Sequence, residues 1–322
     1  MAARSGPFAI VPLGARVAIG NPERMTGEIT RALGTGLLAL LAASGAWADV
    51  GLMPLSGDAA LIEGSSCNVV VVRSDAGLLL VDDQRAGDYA ETRGLLDAHY
   101  HLPVTEVVNT HWHLDHAGGN AAFAGAGATI VAQVNVRARL AQPQYMTAYR
   151  KLIPASAAAA LPGQTYRDGL TIRFGQEELR LVHIPNAHTD GDTLVKLERA
   201  NVLHMGDVFF NGLYPFIDLS SGGSIQGLIR AVDAGLELSD AHTKIVPGHG
   251  AVANRAELMA YRDMLVAVDR NVRGQIARGR DLATILASHP AAAYGLEGDA
   301  DRMVAAIHAN RTLPGGAAPV NP

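Results

Sequence analysis

The chain has 322 residues, 48% hydrophobic and 18% charged, with a formal net charge of −5. That balance supplies ample apolar material for the core of one large soluble domain or two closely packed halves. No basic patch stands out along the sequence, which argues against a nucleic-acid partner.

Residues 1–48 read as a targeting segment and not as part of the fold. Arg31 leads into a short apolar run, and Ala46-Trp47-Ala48 supplies the small-x-small end of a secretory signal peptide. The run is too short to span a membrane comfortably. Met25 is the expected true start, with cleavage after Ala48, a periplasmic or secreted location and no stable membrane insertion afterwards. Residues 49–312 are the expected folded domain, and the Pro/Gly/Ala-rich residues 313–322 are an expected disordered tail. The single cysteine, Cys67, cannot close an internal disulfide. It opens the run Cys-Asn-Val-Val-Val-Val and is expected in a buried strand as a small apolar side chain.

Short apolar runs bounded by Gly, Ser and Asp predict strands at 60–63, 68–73 and 78–82. A helix at 87–99 and a strand at 104–109 follow, and the strand delivers the chain into a His-rich loop. Gly118 and Gly119 permit a tight turn into a short helix from about residue 120. A strand at 128–132 and a helix at 133–141 complete this half. Residues 142–165 are ambiguous: four alanines (157–160) favour helix, while Pro143, Pro154 and Pro162 interrupt it, and the segment could lie over a site as a lid. The second half repeats the grammar, with strands at 170–174, 179–184, 193–198, 201–205 and 243–247. Helices are expected at 224–239, 255–278, 281–288 and 299–311. Strands followed by helices in two similar halves predict two sheets packed face to face with helices outside.

The chemistry is concentrated in residues 110–120, Thr-His-Trp-His-Leu-Asp-His-Ala-Gly-Gly-Asn. His111, His113, Asp115 and His116 place three imidazoles and a carboxylate within six positions, and histidine is scarce in this chain, at 12 of 322. Imidazole nitrogen and carboxylate oxygen are the usual ligands of catalytic zinc. Three more candidates follow expected strands and sit beside glycine: His188 in Asn-Ala-His-Thr-Asp-Gly, Asp207 in Met-Gly-Asp, and His249 in Pro-Gly-His-Gly. Ligand-bearing loops on a rigid scaffold are a common arrangement for catalysis.

The ordered set His111-x-His113-x-Asp115-His116, His188, Asp207 and His249 resembles the metallo-β-lactamase superfamily, over about residues 58–265. The resemblance implies an α/β (α+β) fold, a four-layer αββα sandwich of two packed mixed β-sheets with outer helices. It implies a two-metal site, with His111, His113 and His188 on one ion and Asp115, His116 and His249 on the other. Asp207 would bridge the two. Two zinc ions are the expected cofactors; the carboxylate bridge leaves iron or manganese open. Such a site would deprotonate a shared water near neutral pH, and Asp115 is the expected catalytic residue that orients the resulting hydroxide. Asp82 or Asp83, at a strand end, is a candidate support for a metal ligand, and Asp192 a candidate to orient a ligand histidine. Thr110 and Thr189 are read as bonding local backbone. His204 and His183 are read as buried and satisfied, and His99, His101, His242, His289 and His308 as surface residues.

The superfamily includes β-lactam, lactone, thioester and phosphoester hydrolases and some iron-dependent redox enzymes, and the motif does not choose among them. Many β-lactamases carry cysteine where this chain has Asp207 and lysine three residues later, where this chain has Phe210. That puts tight carboxylate recognition in doubt. The loop 206–216 is aromatic and neutral, so Phe209 and Phe210 are candidate apolar substrate contacts and Asn211 and Tyr214 candidate polar donors. Ser220 and Ser221 are further polar candidates. Pro-Gly-His-Gly around the last ligand, and the lack of a basic cluster in the C-terminal helices, weigh against a glyoxalase-type thioesterase. There is no room for the inserted domain of nuclease members. The leading expectation is a periplasmic zinc hydrolase that opens a cyclic amide or ester of a small molecule, with β-lactam hydrolysis the best named activity. A lactonase or thioesterase using the same site, and a mononuclear iron redox enzyme of the sulfur dioxygenase kind, are the alternatives.

Overall fold

The computed structural model describes residues 51–64 and 66–312. The chain starts with β1 (Leu52–Ser56), β2 (Ala59–Glu63), β3 (Asn68–Ser74) and β4 (Gly77–Val81), each antiparallel to the one before. Helix α1 (Tyr89–Tyr100) then carries it to β5 (Val104–Asn109), and α2 (Asn120–Gly125) to β6 (Thr129–Gln133), both added in parallel. After α3 (Val134–Leu140) a separate hairpin forms from β7 (Gln144–Met146) and β8 (Lys151–Ile153). The chain returns to the first sheet as β9 (Gln164–Tyr166), parallel to β6, making seven strands. The second sheet has five: β10 (Gly169–Phe174), β11 (Glu177–His183), β12 (Thr193–Leu197) and β13 (Val202–His204) run antiparallel in sequence. Helix α4 (Ile225–Glu237) then crosses over to β14 (Lys244–Val246), which pairs in parallel with β13. Helices α5 (Arg255–Ala277), α6 (Leu282–Ala287) and α7 (Ala300–Thr312) follow.

The burial pattern explains why the strands read as continuous apolar runs. In β3, Val70 and Val72 face the second sheet, whereas Val69 and Val71 face α1 and α2 with Leu96 and Phe123. Successive strand residues point to opposite faces, and here both faces are covered. The core between the sheets joins Leu79, Val81 and Val108 to Leu179, Leu181, Val195 and Val202. Beyond the second sheet, Leu194, Leu203 and Ile245 pack on α4, α5 and α7. Each such fully buried side chain stabilises by roughly 1.5–3 kcal/mol. The layer order is therefore helix, sheet, sheet, helix, as expected. Local signals set the helix starts: Ser224 accepts from Gly227 N, Asp281 accepts from Thr284 N, and Asn254 and Glu257 form a reciprocal capping box.

Two parts depart from expectation. β1 carries Pro54 with an irregular register after it, as suits an edge strand. Residues 142–165 are neither helix nor simple loop but the β7–β8 hairpin, two short 3-10 turns and β9. Cys67 is buried, one residue ahead of β3. The targeting segment and the expected tail lie outside the described residues. Among the described residues, no helix is long and apolar enough to cross a membrane.

Candidate metal centre

Each of the seven expected ligands follows a strand that ends on one rim of the sandwich. His111, His113, Asp115 and His116 follow β5, His188 follows β11, Asp207 follows β13 and His249 follows β14. The structure brings all seven together. Potential ligand atoms of His111, His113, His188 and Asp207 lie within 4.8 Å of one another, and so do those of Asp115, His116 and His249. Asp207 faces both groups. Its Oδ2 is 3.5 Å from His188 Nε2 and 3.9 Å from His111 Nε2, while its Oδ1 is 3.0 Å from His116 Nε2 and 3.4 Å from His249 Nε2. Asp115 Oδ2 is 3.5 Å from His249 Nε2.

Four of the ring nitrogens that turn away from this centre are held. His188 Nδ1 donates to the Phe216 carbonyl at 2.7 Å, and His113 Nε2 donates to Asp218 at 3.0 Å. His116 Nδ1 donates to Asp82 at 2.8 Å. The Thr110 hydroxyl donates to Asp82, also at 2.8 Å, so its oxygen is left to accept from His111 Nδ1 at 3.1 Å. In each neutral ring the second nitrogen is then a lone pair aimed inwards. His188 Nε2 and His113 Nδ1 face each other at 2.9 Å. His111 Nε2 is buried with no hydrogen-bond partner among the described residues. An orphaned buried group of this kind costs about 1–3 kcal/mol, and a cation removes that cost. The donor set therefore fits metal binding, with Asp207 placed between the two groups of side chains.

Burial holds His111 well below the usual histidine range, with His116 adding to the effect. Burial also pushes His188 down to about 4, against the pull of Asp207. His116 goes the other way: burial opposes its charge, but the carboxylates of Asp207 and Asp82 outweigh that and raise it well above the usual value. Burial likewise opposes charge on His249, and Asp207 again prevails. For Asp207 itself burial acts to raise the pKa, and His116 and His249 more than offset it.

Backbone detail fits this packing. A Cβ on Gly248 would lie 2.0 Å from Asp207 Oδ1, so glycine is required beside His249. A Cβ on Gly227 would lie 1.6 Å from the Asn186 carbonyl, so glycine lets α4 press on the loop that carries His188. Asp82 has φ +66°, a left-handed conformation that costs roughly 1–2 kcal/mol and turns its carboxylate to Thr110 and His116. The buried Asn68 amide donates to the carbonyls of Pro247 at 2.9 Å and Gly250 at 2.8 Å, so β3 grips both flanks of the His249 loop.

Beside the centre opens a cleft of about 1000 Å³ with a mainly apolar wall that includes Trp112, Leu114, Tyr149, Phe210 and Phe216. Phe210 stacks on His249 at 5.5 Å and 12°. Phe209 lies in the core against Tyr261 and away from the cleft. The Tyr214 ring borders the cleft, but its hydroxyl donates to the Ala291 carbonyl at 2.9 Å. The Asn211 amide donates to the Ala251 carbonyl at 2.9 Å. Both Ser220 and Ser221 turn their hydroxyls to Asp218, and Ser221 also accepts from Trp112 Nε1 at 3.0 Å. Asp82 supports a site histidine, as expected of one of the two strand-end carboxylates, while Asp83 accepts from Gly119 N. Asp192 holds Thr189 of its own loop through the backbone N–H and the hydroxyl, and no histidine ring. Buried His204 is satisfied by the Asn68 carbonyl and Gly206 N, and half-buried His183 by the Asp192 carbonyl. Asp218 and Asn68 were not legible as site residues.

Asp218 gives a direct test of this support. Burial raises its pKa, but His113, Ser220 and Ser221 together hold it below the usual carboxylate range. Asp218→Asn keeps the shape and removes the charge behind His113. Zinc affinity is expected to fall about 10–100-fold in a competition titration with a chromophoric chelator; wild-type affinity would rule out the supporting role.

The chain matches the Metallo-beta-lactamase superfamily over residues 62–263 and belongs to that family, whose members are mostly hydrolases. A hydroxyacylglutathione hydrolase of Gloeobacter violaceus is 31% identical over 129 residues, 39% of this chain and 43% of that protein. Among solved structures, a metallo-beta-lactamase from Pontibacter korlensis superposes with a TM-score of 0.55 at 17% identity, covering 67% of this chain and 98% of that one. The stereoselective inverting sec-alkylsulfatase of Pseudomonas sp. superposes with a TM-score of 0.61 at 19% identity, covering 82% of this chain; the match spans 50% of the sulfatase. At these identities the structural likeness is one of fold.

Proposed function

We propose that the protein is a zinc-dependent hydrolase that opens a cyclic amide or ester, with β-lactam hydrolysis as the named activity. The observation that carries this reading is the set of inward lone pairs converging on Asp207 at the foot of an apolar cleft. His111, His113 and His188 would hold one ion, Asp115, His116 and His249 the other, with Asp207 shared. The chemistry that two such ions supply is a water of lowered pKa and polarisation of the scissile carbonyl. The chain's own residues do the rest. Asp115, about a quarter exposed at the cleft, is placed to accept a hydrogen bond from the attacking water and to take its proton. Phe210 and Phe216 wall off the apolar part of the substrate and exclude bulk water.

A second reading, a thioesterase, is favoured by the likeness to a hydroxyacylglutathione hydrolase. A chromogenic cephalosporin assayed beside lactone and thioester panels, each with a chelator control, separates the two. Chelator-sensitive cephalosporin turnover is expected. Strong thioester or lactone turnover without it would remove β-lactam hydrolysis and keep the hydrolytic site. Metal analysis of the same sample is expected to find about two zinc per chain, and one iron with oxygen uptake would replace hydrolysis by redox chemistry. Export with cleavage after Ala48 belongs to the same proposal, and the mass of the exported protein is expected to begin at Asp49.

A further inference from the structure

The cleft wall carries two cationic residues, Arg85 and Lys151, on an otherwise mainly apolar lining. Both are exposed, and neither side chain has an ion pair or a hydrogen bond to any other described residue. Asp115 and Asp207 share the cleft with them and pair with neither. Nearby Arg139, by contrast, is bound to Asp190 at 2.8 Å.

Their backbones are fixed with respect to the metal centre. Asp83 N donates to the His116 carbonyl, and Gly118 N donates to the Gln84 carbonyl, both at 2.9 Å. Arg85 therefore leaves a segment stitched to the Asp115–His116 loop. Lys151 opposes Met146 in the β7–β8 hairpin, which Thr147 N ties to Ser220 Oγ at 3.4 Å. Tyr149 of the same hairpin meets Phe216 at 5.4 Å, and Phe216 lies 6.0 Å from His113 and 5.6 Å from His188. Arg85 is thus tied through the backbone to the loop of one half of the centre, and Lys151 to a hairpin packed on Phe216 beside the other. Phe210, where a lysine would be expected in many β-lactamases, lies flat on His249 and brings no charge.

We infer that Arg85 and Lys151 form an anion subsite, and that the substrate is an amphipathic anion with an apolar body and a carboxylate. The inference rests on the hydrolase reading for the word substrate, but the subsite can be tested by binding alone. A carboxylate gains charge-assisted hydrogen bonds from these side chains, and the apolar wall reduces the screening that weakens an open surface pair. A neutral analogue of the same shape gains only the wall.

The test uses 4-phenylbutyrate and its neutral amide as probes, with affinities measured by calorimetry on the zinc-loaded full chain. The acid is expected to bind about tenfold more tightly than the amide, with the difference shrinking as salt is added. In the Arg85→Ala/Lys151→Ala double variant the acid should weaken about tenfold while the amide stays within about twofold; Lys151→Arg alone should keep the preference. Both positions are exposed, so these variants should fold. The subsite is overturned if the wild type binds the acid no better than the amide, or if the double variant leaves the acid unchanged. It is also overturned if both probes weaken equally, since that reports damage to the wall. The substrate panel is read separately: no turnover with an intact charge preference would remove the hydrolase reading and leave the subsite standing.

Discussion

His116→Ala is expected to reduce turnover by about three orders of magnitude or more and to cut bound zinc from about two ions per chain to about one. The size follows from how much converges on one ring. His116 Nε2 lies 3.0 Å from Asp207 Oδ1, and its Nδ1 occupies the Asp82 carboxylate, which is fully buried. Alanine leaves that carboxylate with Thr110 as its remaining partner, and stranding a buried charge costs about 3–5 kcal/mol. A fall in stability should therefore accompany the fall in rate. Asp115→Asn separates the two effects. Its side chain is about a quarter exposed and bears no comparable buried partner. Turnover should again drop by orders of magnitude, about 10²-fold at least, while the melting temperature stays within a few degrees. Near-normal rates in either variant, measured on the substrate the wild type turns over best, would refute the assigned roles.

Removing the metal is expected to lower the melting temperature by roughly 10 °C without dismantling the sandwich. A ligand present at a thousand times its dissociation constant stabilises by about 4 kcal/mol, and each kcal/mol is about 2–4 °C for a domain of this size. Two features set that balance. His111 Nε2 is buried without a hydrogen-bond partner among the described residues, so the centre is held against a cost that bound metal would relieve. Most of the core carries no ligand: Val70, Leu79, Leu181 and Val195 pack between the sheets, and Leu203 and Ile245 pack under α4 and α5. Chelation followed by circular dichroism should show unchanged far-ultraviolet signal, an earlier thermal transition, and recovery on adding zinc. An unchanged melting temperature would mean that the cradle does not hold ions tightly.

What could be read in advance depended on distance along the chain. The His111–His116 cluster is local, and both-face-covered strands such as β3 and β4 betray themselves as apolar runs. β9 is three residues long, opens with Gln164 and Thr165, and earns its place from β6, not from its own pattern. Asp218 supports a histidine 105 positions away, which no spacing rule reveals, whereas Asp192, four residues past His188, serves its own turn. Phe209 and Phe210 show a subtler limit. Phe209 is in extended backbone, where neighbours point to opposite sides, so one ring enters the core and the other meets His249. Composition marks the pair as apolar but not which of the two faces the cleft.

The strand directions also divide the molecule by tolerance to change. β4, β5, β11, β13 and β14 all end on the ligand-bearing rim, so the connections β1–β2, β3–β4, β10–β11 and β12–β13 turn back at the opposite one. None of those turns carries a cleft residue. Loops there can be lengthened, tagged or stiffened at an entropic cost that grows only slowly with length. Stabilising changes at that end are free of the trade with activity that burdens residues around Asp207, so the protein can accumulate rigidity at one end while the other is reshaped for new substrates.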